Sequence, residues 1–140
     1  MKKLFLALFV SVLVLGCENE DSESENLELV GVWNLVHAEY KQFEAGELIW
    51  EDVDTPDNLV QYFKFSSDGS FEYYSKFVDE DDADIVSGKY TLDGNNLVLS
   101  EGDMEVVFDY QINREEELVL YNEYTMEGYD YEATTVYAKE

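Results

Sequence analysis

The chain has 140 residues, with 33 acids against eight bases, one His, one Cys and one Pro. That length suits one domain, and a single cysteine excludes an internal disulfide framework or a Cys-rich zinc module. A formal charge of −25 argues against nucleic-acid binding, which needs a basic surface, while 46% hydrophobic and 15% aromatic content argues against low-complexity disorder.

Met1-Lys2-Lys3 is a short basic start, and residues 4–15 form an apolar run of twelve interrupted only by Ser11. A bilayer span takes roughly 20 apolar residues, so the run is too short for one. Basic start, short apolar core and small residue describe a secretory signal peptide. The run ends Val14-Leu15-Gly16-Cys17, which resembles the bacterial lipobox, where a small residue precedes a lipidated cysteine. The resemblance implies that residues 1–16 are a lipoprotein signal peptide and that Cys17 becomes the acylated N-terminus. Its thiolate would accept the diacylglycerol, and two or three palmitate-like chains would hold the protein in the bilayer. A cysteine consumed in this way is no longer available for catalysis.

Residues 18–26 hold five acids, two serines and no apolar residue. Such a segment cannot bury enough surface to fold, and like charges extend it. We read residues 17–26 as the lipidated cysteine with an acidic tether. The composition also resembles the export signal of surface lipoproteins in the Bacteroidetes group. The expected location is therefore the bacterial cell envelope, lipid-anchored at the outer membrane, facing the periplasm or exposed at the surface.

From residue 27 the pattern has period two. Trp33, Leu35 and His37 share a face. So do Leu59, Gln61, Phe63 and Phe65, and Phe71, Tyr73, Ser75 and Phe77. Further runs cover residues 86–92, 97–100, 104–112, 118–124 and 129–138, and a weak ninth covers 47–50. Asp68-Gly69 and Asp93-Gly94 fall between such runs and mark hairpins. Eight strands with short connections predict an all-β, antiparallel up-and-down barrel over residues 27–140, because closure removes exposed edges. With the first strand ending near Tyr40, residues 41–58 form the longest connection, either a lid over one mouth or a plain surface loop.

Gly31-Val32-Trp33 opens the first strand, a Phe-x-x-Asp-Gly-x-Phe element follows at 65–71, and Gly88-Lys89-Tyr90-Thr91-Leu92 leads into Gly94-Asn95 and Leu97. Their order and spacing resemble the lipocalin-like domain of small bacterial lipoproteins, over roughly residues 27–139. The larger lipocalin family adds a Thr-Asp-Tyr motif and an Arg over the Trp. This sequence has no Thr-Asp-Tyr, and Lys139 is a candidate substitute for the Arg. The resemblance implies an eight-stranded lipocalin-like barrel that binds a small molecule.

An eight-stranded barrel holds either packed side chains or one small ligand. Trp33, Leu35, His37, Phe63, Tyr73, Tyr90 and Phe108 are the expected lining, with His37 and the tyrosine hydroxyls orienting a polar group. The same inward bulk could instead fill the lumen. The leading expectation is non-catalytic binding of a small, mostly apolar ligand by a membrane-anchored protein. The alternative is a filled barrel that holds an envelope protein or glycan partner. No cofactor, metal site or catalytic residue is expected. One His and no available Cys make no zinc set, no serine sits in a nucleophile elbow, and the acid run 79–84 lacks EF-hand spacing. Tyr40, Tyr62, Tyr74, Tyr121, Tyr124 and Tyr129 are placed outward or near strand ends, where cross-strand pairing is the plainest role.

Overall fold

Residues 27–140 are described by a computed structural model, so the signal segment, Cys17 and the tether lie outside the described residues. Nine antiparallel strands follow in chain order: β1 (Gly31–Glu44), β2 (Glu47–Asp54), β3 (Leu59–Phe65), β4 (Ser70–Phe77), β5 (Asp84–Asp93), β6 (Asn96–Glu101), β7 (Met104–Ile112), β8 (Glu117–Met126) and β9 (Tyr129–Lys139). Each strand from β3 onward pairs with the next, and β1 pairs with β9, so the sheet closes on itself.

Nine strands make eight staves. Both β2 and β3 lie on the same side of β1: Ala38 to Glu44 pair with β2, and Gly31 to Asn34 pair with β3. The two are one long stave interrupted at residues 55–58. The sequence explains the break. Pro56 has no amide proton to give a ladder, and Asn58 closes a local turn instead, its Oδ1 accepting from Thr55 N at 2.7 Å and its Nδ2 donating to Asp54 at 2.6 Å. The expected connection over residues 41–58 is thus corrected. It is no lid; β1 runs on to Glu44, and the weak 47–50 run belongs to a full strand that carries the wall above the rim.

A β-bulge decides which side chains face inward on β1. Leu35 pairs with Tyr137 but His37 pairs with Val136, so Val36 is the extra residue. One inserted residue reverses the alternation beyond it. Trp33 and Leu35 point in, and so do Ala38 and Tyr40, with Ala38 fully buried. His37 is turned to the outside, half-exposed, with Nε2 3.9 Å from Glu39 Oε1. The bulge overturns the expectation that His37 faces the lumen, and Tyr40, expected outward or near a strand end, stands within β1 and faces in.

The turns at 66–69, 94–95 and 113–116 and both ends of the domain gather at one end of the barrel. That end is filled. Trp33, Phe65, Leu29, Leu97 and Leu118 are essentially inaccessible. The indole N–H of Trp33 donates to Leu29 O at 2.7 Å. Lys139 Nζ lies 5.2 Å from the centre of the Trp33 ring and donates to Glu28 O at 2.9 Å. Lys139 therefore occupies the cation position over the tryptophan that the lipocalin resemblance leaves to an Arg. Gly31, at φ +142°, permits this, because a Cβ there would stand 2.8 Å from Lys139 Cε. Gly88 is the second such position: a Cβ there would fall 2.0 Å from Ser100 O and 2.9 Å from the Phe71 ring. Only glycine lets β5 pass from its pairing with β4 to its pairing with β6 around Phe71.

Candidate functional site

Above the filled floor the barrel is hollow. The connections at 45–46, 78–83, 102–103 and 127–128 surround the open end, and a cavity of about 420 Å³ lies beneath them. The alternative of a nearly filled lumen is not what the structure shows. Bulky side chains do pack the lower half, but the facing residues higher up are smaller or stand apart. Phe63, Phe71, Val86, Leu99, Phe108 and Leu120 supply the apolar wall.

The polar part of the lining has one centre. Register places Gln61 opposite Ser75 and Phe63 opposite Tyr73. Alternation on β3 then points Gln61 inward, where it is buried. Its Oε1 accepts a hydrogen bond from the Tyr137 hydroxyl at 2.6 Å, and its Nε2 donates to the Tyr73 hydroxyl at 2.6 Å. One amide thus ties β3, β4 and β9 together across the lumen. Phe63 packs beneath it, 4.8 Å from the Tyr73 ring and 5.4 Å edge-on from the Tyr137 ring. Aromatic contacts of this kind lock ring orientations.

Burial keeps these phenols neutral. The Tyr40 hydroxyl is pushed up to about 12, first by burial and then by the Asp54 carboxylate. Burial, with a smaller push from the Asp84 carboxylate, raises Tyr73 despite its bonds to Ser75 and Gln61, and burial first of all lifts Tyr137 well above the ordinary phenol value. A neutral phenol is a donor as well as an acceptor. Tyr73 accepts from Gln61 Nε2, and it lines the cavity. The site can hold an apolar body by contact and orient a polar group through the tyrosine hydroxyls. Among the described residues no three His, Cys, Asp or Glu side chains are gathered as for a metal ion.

The seven residues expected to line the site separate into three groups. Phe63, Tyr73 and Phe108 line the cavity. Trp33, Leu35 and Tyr90 belong to the packed floor below it; Tyr90 stacks edge-on against Phe65 at 5.0 Å, and its hydroxyl donates to Ser66 O at 3.0 Å. His37 is outside. Tyr40, Gln61 and Tyr137 were missed as lining. Gln61 and Tyr137 carry a readable signal, since each stands at an inward position of an alternating run. Tyr40 carries none, because its direction depends on the bulge at Val36. Tyr62 and Tyr74 do pair on the outer wall, stacked at 5.1 Å.

The site and frame define a class: a closed antiparallel barrel with one filled end and one aromatic-walled cavity. A family model of the lipocalin-like domain matches residues 29–134, and the chain belongs to that family. A search of curated proteins gives no match.

Proposed function

We propose that this protein is a lipid-anchored, non-catalytic binder of a small, mostly apolar ligand at the bacterial outer membrane. The observation that carries the reading is the cavity of about 420 Å³ with apolar walls and the Gln61–tyrosine cluster on one side. Pockets for small ligands combine a large apolar lining with a few polar groups in this way. The ligand lies against Phe63, Phe71 and Phe108, and the Tyr73 hydroxyl orients its polar group.

The anchor in this reading is Cys17. The first described residues sit at the filled end, where Glu28 O meets Lys139 and Leu29 O meets Trp33. A tether of residues 18–26 reaches about 30 Å when extended. A tether attached at that end leaves the open end free to meet solutes.

A second reading, an interaction module for an envelope protein or glycan, draws on one observation. Trp50, Phe77, Met104, Tyr124 and Met126 are exposed around the open end. Apolar collars of this kind also mark interfaces.

Native mass spectrometry of the protein extracted from its own cells tests the leading reading. A retained small molecule supports it; a ligand-free barrel carrying a bound macromolecule favours the second. Cys17→Ala is expected to move the protein from the membrane to the soluble fraction, and continued membrane attachment would refute the anchor.

A further inference from the structure

The sign of charge around the cavity is one-sided. The sequence has six bases beyond Lys2 and Lys3, and none lines the cavity. Lys41, Lys64, Lys76 and Lys89 stand at outward positions of β1, β3, β4 and β5, alternating with the inward Tyr40, Phe63, Ser75 and Tyr90. Arg114 lies in a turn at the filled end, and Lys139 covers Trp33 there.

Acids occupy the places the bases avoid. Glu101 lines the cavity itself. Asp84 pairs with Ser75 on the lumen side of β5, near enough to Tyr73 for its charge to act on that phenol. On β2, Asp54 and Asp52 pair with the inward Ala38 and Tyr40. Tyr40, Tyr73, Phe108 and Tyr124 present their rings to the same space. A carboxylate guest would meet several like charges with no base to pair with, whereas an ammonium would meet carboxylates and the negative faces of aromatic rings.

We propose that the cavity selects amphipathic cations: an apolar body in the barrel, with an amine-type positive group at the mouth held by Glu101 and the tyrosine rings in a field to which Asp84, further along β5, adds, and that it rejects fatty-acid-type anions. This rests on the ligand-binding reading above and adds the ligand's charge. Tyr73 and Tyr40 then serve the cation through their rings and oxygen lone pairs, and Gln61 fixes the Tyr73 ring in place.

The test is calorimetric titration of the mature chain with three probes that share one tail: decylamine, decanol and decanoate, each below its aggregation concentration. Charges paired near a protein surface support a preference of roughly tenfold or more, so we expect decylamine to bind at least about tenfold tighter than decanol, and decanoate to bind weakest. The double variant Glu101→Gln/Asp84→Asn reduces the amine-to-alcohol ratio towards about one. Glu115→Gln/Glu116→Gln, which removes the same charge from the turn at the filled end, leaves that ratio unchanged.

If decanoate binds as tightly as decylamine, or the two double variants lower the ratio equally, charge selection at the mouth is refuted while the cavity remains a binding site. If none of the three probes binds, the ligand-binding reading itself fails.

Discussion

Replacing Gln61 by Leu tests the polar centre of the cavity, because it keeps the approximate volume and removes the short bonds to Tyr137 and Tyr73 together with the longer one to Ser75. The Tyr137 hydroxyl donates to Gln61 Oε1 at 2.6 Å, and Tyr137 is 2% exposed. Leucine leaves that buried donor without its acceptor, which costs about 1–3 kcal/mol. The Tyr73 hydroxyl loses its bond from Nε2 but lines an open cavity, where water replaces the bond at little cost. The expected loss is about 2 kcal/mol. With a urea slope of roughly 1.5 kcal/mol per M, the unfolding midpoint falls by about 1.3 M. Tyr137→Phe alone strands the amide oxygen and costs about 1 kcal/mol. The double variant removes both partners together, so its loss is smaller than the sum, with a coupling of about 1–2 kcal/mol. A Gln61→Leu loss under about 0.5 kcal/mol, with strictly additive effects in the double variant, would show that the amide does not hold Tyr137.

Alkaline titration gives a second check. Tyr40 is raised from 10.0 to about 12, so the fold favours its neutral form. Its contribution to stability is complete below pH 10 and is lost as the pH rises from 10 to 12; Tyr40→Phe is expected to flatten the fall in the urea midpoint across that window, and an identical fall in the variant would contradict the assignment. Gly88→Ala forces a Cβ against Ser100 O and is expected to destabilise by about 3 kcal/mol; a wild-type melting curve would show that β5 does not pass Ser100 so closely. Trp33→Phe removes the indole bond to Leu29 O and costs about 2 kcal/mol, whereas Trp50→Phe, on the exposed part of β2, changes stability by less than about 0.5 kcal/mol. Acrylamide should quench only Trp50 in the native protein, and equal quenching of both tryptophans would contradict the filled floor.

The alternation of Leu59, Gln61, Phe63 and Phe65, and of Phe71, Tyr73 and Ser75, was enough to predict strands and their inward faces. Period two is a local property of extended chain, and a buried face requires it. The hairpins at Asp68-Gly69 and Asp93-Gly94 were legible for the same local reason, since turn chemistry belongs to a few adjacent residues. The three linked motifs from Gly31 to Leu97 also pointed to the family. Those signals determined an all-β barrel and placed Phe63, Tyr73 and Phe108 at a common interior.

Three things were decided only in three dimensions. The direction of His37 and Tyr40 depends on the bulge at Val36, and a bulge exists only relative to a partner strand. The role of residues 47–54 depends on β1 offering them its upper half, which no pattern within 47–54 encodes. The division of the lumen into a packed floor and an open cavity depends on how Trp33, Phe65 and Tyr90 from β1, β3 and β5 pack together. Packing depends on summed volumes across the barrel, and side-chain order along one strand does not specify where that sum falls short.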